Sequence, residues 1–305
     1  MKFGMKKKAF LLVLLSLVGF LLIYQTGWPR SRSFSKTLAK ISKEDREVLE
    51  AFFFELQFSG GAYVLFGDKP MSICSFALPN YSQRMPLTNI IELSACLHVQ
   101  NIKINKGWDV WKKYSHLFSS SQFFIVENRC DDYVTVAIIN KRNFLKIVEE
   151  NIDVFRQLLG VEMTPDIVLS RCLASSDLMR EVFQNHHVLL GIVLGYGRHN
   201  AQLFSRKIQI EEAKEVSLEE KILPAHGFSN LEEEYQSIQA LLSPLEPEDL
   251  WEWSYPILPL PGFVADFTHP ETHRLRKQYQ KQHKKIIKKY KNRDFLTVTL
   301  EAFCA

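Results

Sequence analysis

Three side chains near the C-terminus are of types that could bind a metal ion: Asp266, His269 and His273, in the segment "DFTHPETH". Three residues separate the two histidines, a spacing that zinc sites use. Pro270 disfavours helical geometry at the residue before it, and it suits the first position of a helix with Glu271 in the first turn. The sequence therefore predicts a helix start here, with a metal site at Asp266, His269 and His273 as the alternative. No other cofactor is expected.

A second group of polar residues follows a glycine-containing stretch, "LLGIVLGYGRHNAQLFSRK". Gly195 and Gly197 begin a dinucleotide-binding pattern, but Asn200 stands where that pattern needs a third glycine. The spacing of Gly191 and Gly195 instead favours close packing of two helices. The polar residues after the glycines form a candidate polar cluster at a helix break: Arg198, His199 and Asn200.

Complete catalytic motifs are missing from the sequence. It contains no G-x-S-x-G, no Walker loop and no H-E-x-x-H, the patterns that announce hydrolases, nucleotide-binding enzymes and zinc proteases. The five cysteines show no C-x-x-C, which disfavours a zinc framework. Catalytic residues therefore stay unknown, and the sequence leans against an enzyme.

The stretch from His273 to Arg293 holds ten Lys and Arg and no Asp or Glu. A stripe of apolar and aromatic residues advances through it at helical spacing, which predicts a basic amphipathic helix over residues 270–292. The stripe consists of Leu275, Tyr279, His283, Ile286 and Tyr290. We expect this helix to dock by the stripe and to leave its charges in solvent.

The positive charge of this helix raises two alternatives for a partner. Anionic lipid could bind at a group of four lysines: Lys284, Lys285, Lys288 and Lys289. Nucleic acid is not expected, because no recognised nucleic-acid fold accompanies the charge and export of the protein would remove that ligand.

Residues 1–28 predict a membrane segment. Four lysines precede an uncharged, mostly apolar run from Ala9 to Trp28, and twenty helical residues rise about 30 Å, enough to cross a hydrocarbon core. We expect a signal anchor or signal peptide at 1–28 and a linker at 29–41. These features predict an inner-membrane protein with its body outside the cytoplasm, or a protein exported after cleavage.

The remaining residues, 42–305, predict a single α+β domain. Of the whole chain 46% is hydrophobic and 24% charged, which is typical of a globular protein with a sizeable core. Hairpins are expected at "AYVLFGDKPMSICSFAL" and "QFFIVENRCDDYVTVAII", a helix from Phe144 to Gly160, and a final strand at "FLTVTLEAF". A proline-rich connection at 254–263 excludes regular helix there. The predicted fold is helix-rich, with a small antiparallel sheet built from hairpins.

Two segments resemble a group of uncharacterised, membrane-associated proteins of chlamydia-like intracellular bacteria: "AYVLFGDKPMS" and "LLGIVLGYGRHNAQLFSRK". Those proteins also carry a hydrophobic N-terminus and an "LPGF"-like stretch before a basic helix, as at Leu260 to Phe263 here. The resemblance implies an envelope-associated protein, and it brings no activity and no catalytic residue.

The function that these patterns favour is binding or scaffolding at the cell envelope by a membrane-tethered protein, with an envelope protein as a possible partner. One alternative is an envelope hydrolase, metal-dependent or not, that uses the region of His269 and His273 or the region of Arg198 to Asn200. A second alternative is a protein that binds anionic lipid surfaces through its basic helix.

Overall fold

The computed structural model of the chain describes residues 34–77, 106–130, 133–215, 222–244 and 258–305. The chain divides into two compact units, and the boundary between them along the sequence lies between residues 47 and 48. The first unit contains helix α1 (34–38) and the beginning of helix α2 (Lys43–Leu56). Ser42 caps α2 as its S-x-x-D pattern predicts, since the Asp45 N–H donates to the Ser42 hydroxyl at 3.1 Å.

The second unit contains the other described elements. Its helices, in chain order, are the rest of α2 and then α3 (Ala62–Phe66), α4 (106–114), α5 (Lys141–Glu150), α6 (Ile152–Leu159), α7 (Pro165–Ala174), α8 (His187–Val193), α9 (Arg198–Glu215), α10 (Leu231–Leu241), α11 (Pro270–Tyr290) and α12 (Phe295–Phe303). Its strands are β1 (Met71–Ala77), β2 (Phe123–Cys130), β3 (Tyr133–Asn140), β4 (Leu242–Pro244) and β5 (Val264–Asp266).

The fold is α+β, as predicted, with a small antiparallel sheet of order β1-β3-β2. The hairpin predicted at "QFFIVENRCDDYVTVAII" is confirmed: β2 and β3 pair antiparallel, with Val126 opposite Ala137. A short second sheet pairs β4 with β5 and places Asp266 opposite Leu242. One core cluster packs α5 to α8 against the larger sheet around Phe144, Phe155 and Phe183.

The first predicted hairpin, "AYVLFGDKPMSICSFAL", is wrong in its first arm. Residues Ala62–Phe66 form α3, and β1 instead pairs with the distant strand β3. Four of the five residues of α3 are buried, so they show no alternation that distinguishes a strand from a helix. Gly60, with φ of 97°, turns the chain between α2 and α3.

The final strand predicted at "FLTVTLEAF" is also wrong, because these residues form α12. Asp294 caps the helix by accepting a hydrogen bond from the Thr297 N–H at 2.8 Å. The Tyr290 ring stacks on Phe295 with centroids 5.2 Å apart, which docks the start of α12 on the end of α11. The cap and the packing of the apolar side stabilise the helix more than the weak strand preference of its residues favours a strand.

The helix predicted from Phe144 to Gly160 forms as two helices, α5 and α6. Asn151 lies between them with φ of −124°, and its side-chain amide donates to the Ile147 carbonyl. The second helix ends at Gly160, whose φ of 114° is the left-handed region that glycine adopts without strain.

The predicted placement in a membrane is corrected by the structure. No helix among the described residues is long and apolar enough to cross a bilayer. The segment 1–28, on which the anchor or signal peptide rested, lies outside the described residues. The prediction of an inner-membrane protein with its body outside the cytoplasm is wrong on this finding, and no proposal below depends on it.

Candidate functional site

The two groups of polar residues singled out from the sequence meet in the structure. The N-terminus of α9 supplies Arg198, His199 and Asn200, while β5 and the start of α11 supply Asp266 and His269. We call this meeting point the α9–α11 junction and define it by seven residues: His199, Asn200, Asp266, Thr268, His269, Glu271 and Thr272. The sequence does not indicate the meeting, because about 70 residues separate the two groups.

Asp266 is the charged centre of the junction. Its side chain is buried, with 5% exposure, and its Oδ2 lies 2.9 Å from Nε2 of His199. Its Oδ1 accepts two hydrogen bonds from Thr268, from the N–H at 2.8 Å and from the hydroxyl at 2.6 Å. Burial alone raises the pKa of this carboxyl, but the hydrogen bonds from Thr268 and His199 outweigh burial and lower the pKa to about 2. Asp266 is therefore ionised at neutral pH.

Asn200 connects three segments of the junction. It is 1% exposed, and its amide donates to the Tyr196 carbonyl at 2.9 Å and to the Thr272 hydroxyl at 3.0 Å. Its Oδ1 accepts a hydrogen bond from the backbone N–H of Asp266 at 3.0 Å. The side chain thus joins α9, β5 and α11, which explains why an amide stands where a dinucleotide fingerprint would have glycine.

His269 acts as the predicted helix cap. Its Nδ1 accepts a hydrogen bond from the Glu271 N–H at 3.3 Å, and Pro270 occupies the first turn of α11. The His199 and His269 rings stack, with centroids 3.7 Å apart. His273 is exposed one turn further along.

A metal site at Asp266, His269 and His273 stays a prediction without a formed ligand set. Among the residues that the structure describes, no group of three or more His, Cys, Asp or Glu side chains is arranged to hold a metal ion. His199, rather than His273, reaches the Asp266 carboxylate.

The glycines near the junction permit close approach of neighbouring elements. The Glu271 carboxylate accepts hydrogen bonds from the N–H groups of Arg198 at 3.1 Å and His199 at 2.8 Å, so it caps α9. A Cβ atom at Gly197, whose φ is 87°, would lie 2.7 Å from the Glu271 carboxyl carbon. A Cβ at Gly191 would lie 2.8 Å from that of Ala201, which supports the prediction of close helix packing. The start of α9 is already capped by a carboxylate, which argues against a phosphate site there.

A cleft of about 630 Å³ opens beside the junction. Its walls come from α5, α11, the turn between α8 and α9, and the corner that leads into β1. The charged residues along it are Asp68, Lys146, Glu150, Arg198, Glu271 and Arg274, and the apolar ones include Pro70, Ile147, Ile192 and Leu275. Its size suits a small molecule.

Some charged side chains of the cleft already have intramolecular hydrogen-bond or ion-pair partners, and others do not. Asp68 accepts hydrogen bonds from Gln278 at 3.0 Å and Gln282 at 2.7 Å through the same oxygen, Oδ2. Arg198 makes a two-pronged pair with Asp153, at 3.1 and 2.8 Å. Arg274 is exposed and makes no ion pair within the described parts of the chain.

Lys146 and Glu150 can also form hydrogen bonds or ion pairs with a ligand. They lie 3.8 Å apart with side chains that are 72% and 54% exposed, a surface pair of little energetic weight. Together with Arg274 and the unused Oδ1 of Asp68, the cleft therefore offers both donors and acceptors of opposite charge.

Lys69, which the sequence analysis did not single out, is buried against the turn between α8 and α9. It is 2% exposed, its ammonium donates to the Leu194 carbonyl, and it lies 4.8 Å from the centroid of the Tyr196 ring. Burial lowers the pKa of Lys69 to about 7. The "GDKP" pattern predicts an exposed turn, so only the tertiary structure shows that this lysine points inward.

The basic helix begins at Pro270, and its buried residues include three of the predicted stripe, Tyr279, Ile286 and Tyr290. The four lysines proposed for a lipid surface, Lys284, Lys285, Lys288 and Lys289, are all exposed on the opposite side. Binding of anionic lipid at these lysines stays a prediction.

No protein-family model, no curated protein and no solved structure matches this chain, so it is assigned to no family.

Proposed function

We propose that this protein is a binding module whose cleft takes a small ligand carrying both an anionic and a cationic group, such as an amino acid or a short peptide. The observation that carries the proposal is the mixed charge of the cleft lining, in which Arg274 has no ion-pair partner among the described residues. A guanidinium is well shaped for a carboxylate, because its donors form a planar fork.

The anionic end of the ligand is expected at Arg274, with Lys146 as a second donor across the cleft. The cationic end has Glu150 and the free Oδ1 of Asp68 as acceptors. A ligand with only negative charge would meet Asp68, Glu150 and Glu271 as well, so a molecule with both charges fits better than a simple anion. The apolar wall at Ile147, Ile192 and Leu275 suits an apolar side chain of the ligand.

The lining supports binding more than catalysis. The described side chains along the cleft include no Ser, Thr, Cys or His, and neither Lys146 nor Tyr279 is hydrogen-bonded to a carboxylate of the lining. The contact between His199 and Asp266 gives a hydrolase its best support, but neither residue lines the cleft and Nε2 of His199 is engaged by the carboxylate.

The dipeptide alanyl-leucine provides a direct test by isothermal titration calorimetry. We expect it to bind, and we expect at least about tenfold weaker binding for N-acetylated alanyl-leucine and for its C-terminal amide, since each lacks one charge. Pyrophosphate, which carries only negative charge, is expected to bind more weakly than the dipeptide.

The matched variants are Arg274→Gln and Lys285→Gln, two exposed cations on the same helix, of which only the first lines the cleft. Arg274→Gln should weaken dipeptide binding about tenfold, while Lys285→Gln should leave it unchanged. Equal affinity of the dipeptide for both variants and the wild type, or tighter binding of pyrophosphate than of the dipeptide, would overturn the proposal.

A further inference from the structure

The exposed side of α11 carries a line of positive charge. From Arg274 to Lys291, eight Lys and Arg side chains are exposed, and no Asp or Glu occurs between Thr272 and Arg293. At 100° per residue these eight positions fall within about 160° of the helix surface, along about 25 Å of its axis. We call these eight side chains the basic ridge.

The ridge concentrates on one side of a single helix eight cations that make no ion pair with any described residue. Several cations elsewhere in the chain pair with carboxylates, as Arg206 does with Glu234 and Lys112 with Asp109. Within the described parts of the chain, none of the eight ridge cations forms an ion pair, and the next cation along, Arg293, pairs with Glu301. A run of unpaired like charges costs self-repulsion that a polyanionic partner would relieve.

The opposite side of α11 holds the ridge in place. The Tyr63 ring lies 5.6 Å from that of Tyr279 and its hydroxyl lies 2.9 Å from Nδ1 of His283. Near the other end, the Tyr290 ring lies 5.5 Å from that of Phe66. The apolar stripe is therefore already occupied by α3 and α12, so α11 cannot insert that side into a lipid surface as interfacial helices do.

The composition of the ridge distinguishes between the remaining anionic partners. Protein interfaces are depleted in Lys and depend on Trp, Tyr and Arg anchors, whereas seven of the eight ridge residues are Lys and none of the exposed residues of α11 is Trp, Tyr or Phe. Lysine is a point charge without the planar fork that fits a single carboxylate, and such charges neutralise backbone phosphates without reading the bases.

We infer that the basic ridge binds the sugar–phosphate backbone of nucleic acid without reading its sequence. The sequence-based objection to nucleic acid rested partly on export, and the segment on which export rested, 1–28, lies outside the described residues. The ridge spans about 25 Å, which corresponds to seven or eight base pairs of a duplex at 3.4 Å per pair. Release of counterions from the phosphates would drive the binding.

The test uses the full-length chain and two unrelated 24-base-pair DNA duplexes, with affinity measured by fluorescence anisotropy at several salt concentrations. We expect equal affinity for the two duplexes and a steep loss of affinity with salt. The quadruple variant Lys284→Gln, Lys285→Gln, Lys288→Gln and Lys289→Gln should bind about 100-fold more weakly, with a salt slope smaller in magnitude by about 2 to 4.

The matched control also removes four positive charges by Lys→Gln, but at exposed lysines outside the ridge: Lys106, Lys112, Lys113 and Lys141. This control should bind DNA within about twofold of the wild type, because non-local charge is screened over about 10 Å. Circular dichroism checks that both variants fold, which is expected because all eight changed side chains are exposed.

Three results would overturn the inference. The first is no DNA binding at low salt, and the second is equal loss of binding in the quadruple variant and the control. The third is tighter binding to poly-L-glutamate or to vesicles of anionic phospholipid than to DNA, which would assign the ridge to an acidic protein or to a lipid surface. Arg274 belongs to both the ridge and the cleft, but the four lysines changed in the quadruple variant do not line the cleft, so dipeptide binding is tested separately.

Discussion

Replacing Lys69 by Met should abolish a rise in stability of about 1.5 kcal/mol that the wild-type protein gains between pH 7 and pH 8.5. The reason is that burial lowers the pKa of Lys69 to about 7 in the folded protein, while an exposed lysine titrates near 10.4. Between these two values the unfolded chain binds more protons than the folded one, so the free energy of unfolding increases as the pH rises. Below pH 7 both states are protonated and the gain is absent.

The comparison is best made by urea unfolding of the wild type and Lys69→Met at the two pH values. Other groups change in the same range: burial raises the pKa of Cys74 and Cys172 to about 12, which lowers stability above pH 8.5. Both proteins contain these cysteines, so the difference between them isolates Lys69. Equal pH dependence of the two proteins would show that Lys69 is not titrating as a buried amine.

Replacing Asp266 by Ala should lower the free energy of unfolding by about 3 kcal/mol. The change leaves three donors without their acceptor: the N–H and hydroxyl of Thr268 and the His199 ring. Asp266→Asn retains an acceptor oxygen and should cost less, about 1 to 2 kcal/mol. Urea unfolding at pH 7 measures both variants.

The dependence of stability on acidic pH provides a second measurement of the contribution of the Asp266 carboxylate. The folded pKa of Asp266 is about 2 and the unfolded value is near 3.9, so its contribution to stability is present above pH 4 and is lost as the pH falls toward 2. The wild type should therefore lose about 2 kcal/mol over this range that Asp266→Asn does not lose. A loss in Asp266→Ala of less than about 0.5 kcal/mol at pH 7 would mean that the junction does not hold α9, β5 and α11 together.

Local sequence signals predicted the helices that have recognisable capping or terminating residues. Thr164 and Pro165, a pair typical of a helix start, begin α7, with the Thr164 hydroxyl accepting a hydrogen bond from the Ile167 N–H. Gly160 ends α6 and Pro270 begins α11. The hairpin of β2 and β3 was also predictable, because its two arms are adjacent in sequence and rich in apolar and β-branched residues.

The failures share a physical origin in long-range packing. Residues of α3 and α12 are predominantly apolar, so their pattern fits a strand or a helix, and partners distant in sequence decide between the two. The same holds for the candidate site: Asn200 was recognisable as polar, but its bonds to Thr272 and Asp266 form only when α9 and β5 pack together. Lys69 gave no signal, since its burial depends on Leu194 and Tyr196.

The measurement that tests the central claim most directly is a crystal structure of the protein soaked with alanyl-leucine. The proposed function predicts electron density for the dipeptide in the cleft, with its carboxylate at hydrogen-bonding distance from the Arg274 guanidinium and its ammonium facing Glu150 or Asp68. An empty cleft at a dipeptide concentration that saturates the calorimetric signal, or a dipeptide bound elsewhere on the protein, would contradict the account.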